Sequence, residues 1–170
     1  MATVGPYYST QWTTAFITKP TAPVSAALFQ GNSFAKRFDY TQAATGTDGD
    51  AVYLCQLPPM AVIIMAKSSF VFSAWSGSTV LGIGWLGYTT AAGAAVAASA
   101  SGLLSALVIS AAGVCYGHAL ILAASTVRQA YALDYRQFDS QDPVTITATI
   151  SGAAPLAAAT LTGWITYTVN

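Results

Sequence analysis

Hydrophobic and polar positions alternate most regularly near the C-terminal end of the chain. Across 143–150, Val144, Ile146, Ala148 and Ile150 fall on one face, and Thr145, Thr147 and Thr149 on the other. The run 160–169 repeats the pattern. Leu161, Gly163, Ile165, Tyr167 and Val169 face one way, and Thr160, Thr162, Trp164, Thr166 and Thr168 the other. Period two with threonine on the polar face predicts two strands of a half-buried antiparallel sheet.

The same signal recurs upstream in shorter pieces. Phe34, Lys36, Phe38 and Tyr40 alternate with Ala35, Arg37, Asp39 and Thr41, which predicts a strand, and 44–50 (ATGTDGD) reads as a turn. A β-type run over 51–57 is stopped by Pro58 and Pro59, which cannot sit in a central strand. Further runs cover 61–65 and 70–75, with a turn at Gly77. Thr79, Leu81, Ile83 and Trp85 then alternate with Val80, Gly82, Gly84 and Leu86, so one face is large and the other small, as in a strand closely packed on one side. Short strands with turns at regular spacing indicate an all-β sandwich or barrel.

Two segments break the pattern. Residues 1–33 contain Pro6, Pro20 and Pro23 and no sustained period, which predicts an extended arm preceding a β-domain over 34–170. Tyr7, Tyr8, Trp12 and Phe16 are too apolar for a solvated tail and are the candidate interface residues of that arm. The Ala/Ser/Gly-rich segment at about 91–112 reads as a helical or loop insertion, with a helix or long loop from about Ala91 to Ser105 and a strand around Val114 to Leu122. No Asp, Glu, Lys or Arg occurs between Lys67 and Arg128, and this stretch is long enough for a membrane span. Against that reading, alanine is weakly apolar, no Lys/Arg cluster flanks the segment, and the remaining pattern is that of a sheet.

Composition sharpens the function classes. The chain has 170 residues, 54% of them hydrophobic and only 7% charged, with six basic and six acidic side chains. Globular domains carry about 25% charged residues, so this exterior is uncharged, covered by partners, or in lipid. Six dispersed cations at zero net charge argue against nucleic-acid binding. Every acid is Asp, a turn former, and Glu is absent. The start shows no basic and apolar leader pattern, and the two cysteines, Cys55 and Cys115, lack disulfide or zinc spacing. Two buried free thiols in a chain made in a reducing cytosol are expected, with a bridge between facing strands the alternative.

Catalytic chemistry finds little to build on. His118 is the single histidine, set among apolar residues with no nucleophile motif beside it. Asp48-Gly49-Asp50 lacks the remaining ligands of a calcium loop and reads as a turn. Gly82-Ile83-Gly84 lacks the third glycine of a dinucleotide fingerprint and reads as packing. No catalytic residue, cofactor, metal or small-molecule substrate is expected. What remains is surface: weakly charged, Thr-rich and aromatic, as in a subunit held among others.

Arg37-Phe-Asp-Tyr40, Gly49-Asp-Ala-Val-Tyr-Leu-Cys-Gln-Leu-Pro58 and Ala61-Val-Ile-Ile64, followed by Gly77-Ser-Thr-Val-Leu-Gly-Ile-Gly84 and a closing Tyr167-Thr-Val169, resemble a group of tailed-bacteriophage capsid accessory proteins. The resemblance covers Arg37 to Tyr88 and Asp142 to Asn170, is weaker across the Ala-rich middle and does not extend into the first thirty residues. It implies a jelly-roll-like β-sandwich on the capsid exterior, a cement or decoration subunit whose partners are the major capsid protein and itself, as a homotrimer. It implies no catalytic residues. A tail or fibre β-domain of a phage is the alternative, and a small holin-like membrane protein a further one.

Overall fold

The computed structural model describes residues 7–8, 33–116, 119–122, 125–128 and 135–169. The strands are β1 (Tyr7–Tyr8), β2 (Phe34–Thr41), β3 (Asp50–Leu57), β4 (Ala61–Ile64), β5 (Ser69–Phe72), β6 (Val80–Trp85), β7 (Tyr88–Thr89), β8 (Ala95–Val96), β9 (Ser99–Val108), β10 (Gly113–Tyr116), β11 (Ala119–Leu122), β12 (Ser125–Arg128), β13 (Tyr135–Gln137), β14 (Val144–Ser151) and β15 (Thr160–Val169). Two sheets face each other. One runs β1-β3-β14-β6-β9; the other runs β12-β11-β10-β5-β15-β4-β13, with β2 also on β15. β7 and β8 form a small separate hairpin. Pairing is antiparallel except for β1 beside β3. The expected all-β sandwich is what the chain forms.

Alternation builds the core between the sheets. Val144, Ile146, Ala148 and Ile150 of β14 join Leu81 and Ile83 of β6 and Val52 and Leu54 of β3. Against them lie Leu161, Ile165 and Tyr167 of β15, Phe38 and Tyr40 of β2, and Phe70 and Phe72 of β5. Phe38 and Phe70 meet with ring centroids 5.7 Å apart, and Phe34 stacks on Tyr167 at 5.5 Å. These rings supply much of the apolar area that offsets the ordering of the backbone.

β15 is the spine of its sheet. β2 covers one edge along Thr160 to Tyr167, while β4 and β5 share the other. Ile63 opposes Tyr167 and Ser69 opposes Trp164, so six residues advance along the partner for three along β15. The surplus is taken up by a 3-10 turn over Met65–Lys67. Side chains replace the ladder bonds lost there. The Thr166 amide donates to Ser68 Oγ at 3.0 Å, Thr166 Oγ1 donates to the Lys67 carbonyl at 2.9 Å, and Ser68 Oγ donates to the Ile64 carbonyl at 3.0 Å.

The Ala-rich segment differs from expectation. It is not a helix or a long loop: β9 spans Ser99–Val108 and pairs with β6 as the edge of the five-stranded sheet. Helix propensity favours alanine by only a fraction of a kcal/mol per residue. Leu103, Leu104, Leu107 and Ile109 can instead bury completely against the sandwich. The register slips, so that two steps along β6 from Ile83 to Trp85 match five along β9 from Leu104 to Ser99. The slack arches over the small face of β6, where the Ala100 carbonyl lies 2.8 Å from the position a Cβ on Gly82 would take and the Ser99 carbonyl closer still to that of Gly84. The close packing read from Gly82 and Gly84 is therefore present.

Two further expectations are corrected. The strand expected around Val114 to Leu122 is a hairpin of β10 and β11, with Tyr116 opposite Ala119. The threonine face of β14 is not wet: Thr147 is 3% exposed, and Thr145 is buried too. β14 lies between β3 and β6, and Thr147 shares the face of its register partner Gly84, under the β9 arch. On β15, Thr166 is buried as well because its hydroxyl reaches the Lys67 carbonyl, while Val169 at the strand end is exposed. Among the described residues no helix is long and apolar enough to cross a membrane.

Gly163 marks the tightest approach in the spine. Its φ is 155°, and a Cβ there would run into the Ser69 carbonyl and lie 2.9 Å from Phe38 Cζ. Gly163→Ala is expected to destabilise the fold by about 2 kcal/mol or more, lowering Tm by roughly 5 °C or more. Gly77→Ala, where a Cβ meets nothing within 4 Å, is the control and leaves Tm unchanged or slightly raised. Thermal unfolding of the two variants checks this.

Candidate interaction surface

The residues that chemistry would need are scattered or buried. Cys55 in β3 and Cys115 in β10 are both free and buried, in opposite sheets. Burial pushes the Cys55 thiol up to about 12, against a weaker downward pull from the Lys36 ammonium. Such a thiol is neither nucleophile nor metal ligand at neutral pH. Asp48 and Asp50 serve the turn they were read as: Asp48 Oδ1 accepts from the Gly152 amide at 2.8 Å and Asp50 Oδ2 from the Thr47 amide at 2.6 Å. Among the described residues no three His, Cys, Asp or Glu side chains gather to hold a metal. His118 lies outside the described residues.

Of the arm residues, Tyr7 and Tyr8 form β1, in parallel register with Val52 and Tyr53 at the edge of β3. Trp12 and Phe16 lie outside the described residues.

Two surface features were not singled out in the sequence. The first is the outer face of β15, where Trp164 is 40% exposed. Its indole Nε1 donates to the Lys67 carbonyl at 3.0 Å, which fixes the ring on the sheet, and its cross-strand neighbour is Arg37. Alternation placed Trp164 on the outward face, so its exposure was legible; its tether comes from the 3-10 turn, which has no local signature. The second is Arg136 in β13, whose guanidinium carbon lies 4.6 Å from the centroid of Trp85 and 5.9 Å from that of Phe138. Residues 136 and 85 are brought together only by the tertiary fold, so no spacing could have announced them. Val108, Leu156 and Val169 are further exposed apolar side chains.

No family model matches the chain, and no curated protein matches it in sequence. Two solved structures share its fold. A chain in the capsid of Ralstonia phage GP4 is 19% identical, with a TM-score of 0.66 over 98% of this chain and 99% of that one. A chain in the capsid asymmetric unit of cyanophage Pam1 is 14% identical, with a TM-score of 0.56 over 90% of this chain and 96% of that one. The first likeness covers nearly all of this chain, so the Ala-rich middle falls within it.

The buried thiol also sets a pH dependence. Cys55 ordinarily ionises at 9.0 and in the fold at about 12. Between those values the unfolded chain has released a proton that the folded chain retains, so stability is full below pH 9 and falls as pH rises above it. Tyr167, raised above its ordinary 10.0 mainly by burial, acts in the same direction. Unfolding measured from about pH 8 to about pH 11 is expected to show a steady loss that Cys55→Ala makes shallower. A thiol reagent should leave Cys55 unmodified until the protein unfolds.

Proposed function

We propose that this chain is a structural, non-catalytic virion protein: a cement or decoration subunit on the outer surface of a tailed-phage head, bound to the major capsid protein and assembled as a homotrimer. The single observation that carries the reading is the architecture shared, nearly end to end, with chains from two phage capsids. In this reading residues 34–170 are the sandwich domain and 1–33 the arm, with Tyr7, Tyr8, Trp12 and Phe16 as its contact residues. The protein is made in the host cytoplasm and ends on the capsid exterior, with no cofactor, metal, nucleic acid or membrane as partner.

The physical rationale is a surface suited to many shared contacts. With 7% charged residues and zero net charge the subunits do not repel one another. Apolar anchors such as Trp164 are held in place before contact, so little ordering cost remains on binding. Each contact is weak, but several per trimer add by avidity and oppose the internal pressure of a filled head.

The arm is the part whose removal separates binding from folding, because β1 adds only two residue pairs at a sheet edge. Deleting residues 1–21 is expected to leave the sandwich folded and to lower the temperature at which the protein leaves purified capsids. Equal release temperatures for the truncated and full-length chains would count against the arm. Copy number tests the wider reading: hundreds per particle support a head subunit, and a dozen or fewer would move the protein to the tail.

A further inference from the structure

Arg136 is a cation without an ionic or hydrogen-bonding partner among the described residues. β13 ends the order of its sheet and pairs with β4. The guanidinium lies on Trp85, 4.6 Å from the ring centroid, and Phe138 braces the bed from the side, with Trp85 and Tyr88 each meeting it edge-on at 5.6 Å. Stacking fixes the plane of the guanidinium and desolvates one face while leaving its charge and its forked donors intact. Its Nε is buried and has no hydrogen-bond partner. No carboxylate among the described residues pairs with it.

The complementary charge is displayed a few residues later on a loop that is held still. The Phe138 amide donates to the Ala61 carbonyl at 2.8 Å, the Ala91 amide to the Asp139 carbonyl at 3.1 Å and the Gln141 amide to the Thr89 carbonyl at 3.2 Å. Gln141 Nε2 adds a bond to the Ala91 carbonyl at 2.9 Å, and Ser140 bridges to Thr90. From this pinned loop Asp139 and Asp142 are exposed to solvent, and neither carboxylate has a partner among the described residues. Within one chain the opposite charges do not meet, because the guanidinium is turned onto the aromatic bed while the carboxylates face outward.

We propose that Arg136 receives a carboxylate of the 139–142 loop of a second copy of this chain. The buried Nε is out of reach of a second molecule, but the side chain is only half-buried and its two terminal amino groups are not closed off, and a carboxylate can accept two parallel bonds from that pair. One copy supplies one receptor and one ligand loop, so the stoichiometry balances in a head-to-tail contact, which closes into a ring where the rotation permits. Zero net charge leaves no long-range repulsion against such association. The inference deepens the homotrimer part of the proposed function and rests on it: a monomeric wild type overturns both, whereas a loop variant that associates as the wild type does overturns this contact alone.

Sedimentation velocity on the full chain over a dilution series tests it. The wild type is expected to self-associate. Arg136→Met, and separately Asp139→Asn with Asp142→Asn, should each weaken association roughly tenfold or more. Combining them should add little further loss, because both remove one contact. The proposal is overturned if the wild type stays monomeric throughout, if the doubly substituted loop associates as the wild type does, or if the losses simply add. Should Arg136→Met fail to fold, the loop variant decides alone, since its two positions are exposed.

Discussion

The sandwich depends on how closely an interrupted strand can lie along β15. Continuous pairing would have kept β4 and β5 in line and limited that side of the sheet to the length of one ten-residue strand. The three surplus residues at Met65–Lys67 divide it. β4 then takes β13 as its neighbour, and β5 takes the β10–β11–β12 wing. The break is tolerable because Ser68 and Thr166 hydroxyls satisfy backbone groups the turn leaves behind. It also demands a residue without a side chain at Gly163, directly against the Ser69 carbonyl.

Much of this was legible in the residues, and the reason is periodicity. β2, β6, β14 and β15 were readable because each puts its large apolar residues on one face; β3 was readable as a β-type run ended by Pro58-Pro59, although an irregularity in its pairing shifts its buried face from Val52 and Leu54 to Cys55 and Leu57. The core face of β15 was right through Tyr167. What alternation could not carry was the state of the other face. Thr145 and Thr147 look like a wet stripe only if nothing lies above them, and at Gly84, the register partner of Thr147, the backbone of Ser99 and Ala100 in β9 closes over that face. The Ala-rich segment was misread for the same reason: small residues are ambiguous between helix and strand until the surface they pack on is known. Its use as a close-lying arch was half visible, in the two glycines of β6 that receive it.

The sequence showed how few charges the surface could carry, and not which of them the fold would set apart. Low charge pointed to a shared exterior, but a charge count cannot say which few cations matter. Arg136 reads in sequence as one of six dispersed basic residues. The fold distinguishes it by laying it on Trp85 and leaving its Nε without an acceptor. The arm residues Tyr7, Tyr8, Trp12 and Phe16 were the natural choice from composition, and of these Tyr7 and Tyr8 lie in a described strand.

The scarcity of charge gives each ionic group a larger share of specificity. On a surface where a quarter of the residues are ionic, one more exposed pair contributes little, because it is screened and interchangeable with its neighbours. On this surface charges are few, and the Arg136 guanidinium lies over an aromatic ring rather than wholly in water. A carboxylate that reaches it meets a preorganised donor rather than a mobile side chain, so the contact loses less to ordering than an exposed pair would. Thr-rich and apolar area can supply adhesion without direction, whereas a fixed cation and a fixed loop of carboxylates supply register. In the proposed contact between copies both are combined, and the few charges the chain retains lie where orientation would be decided.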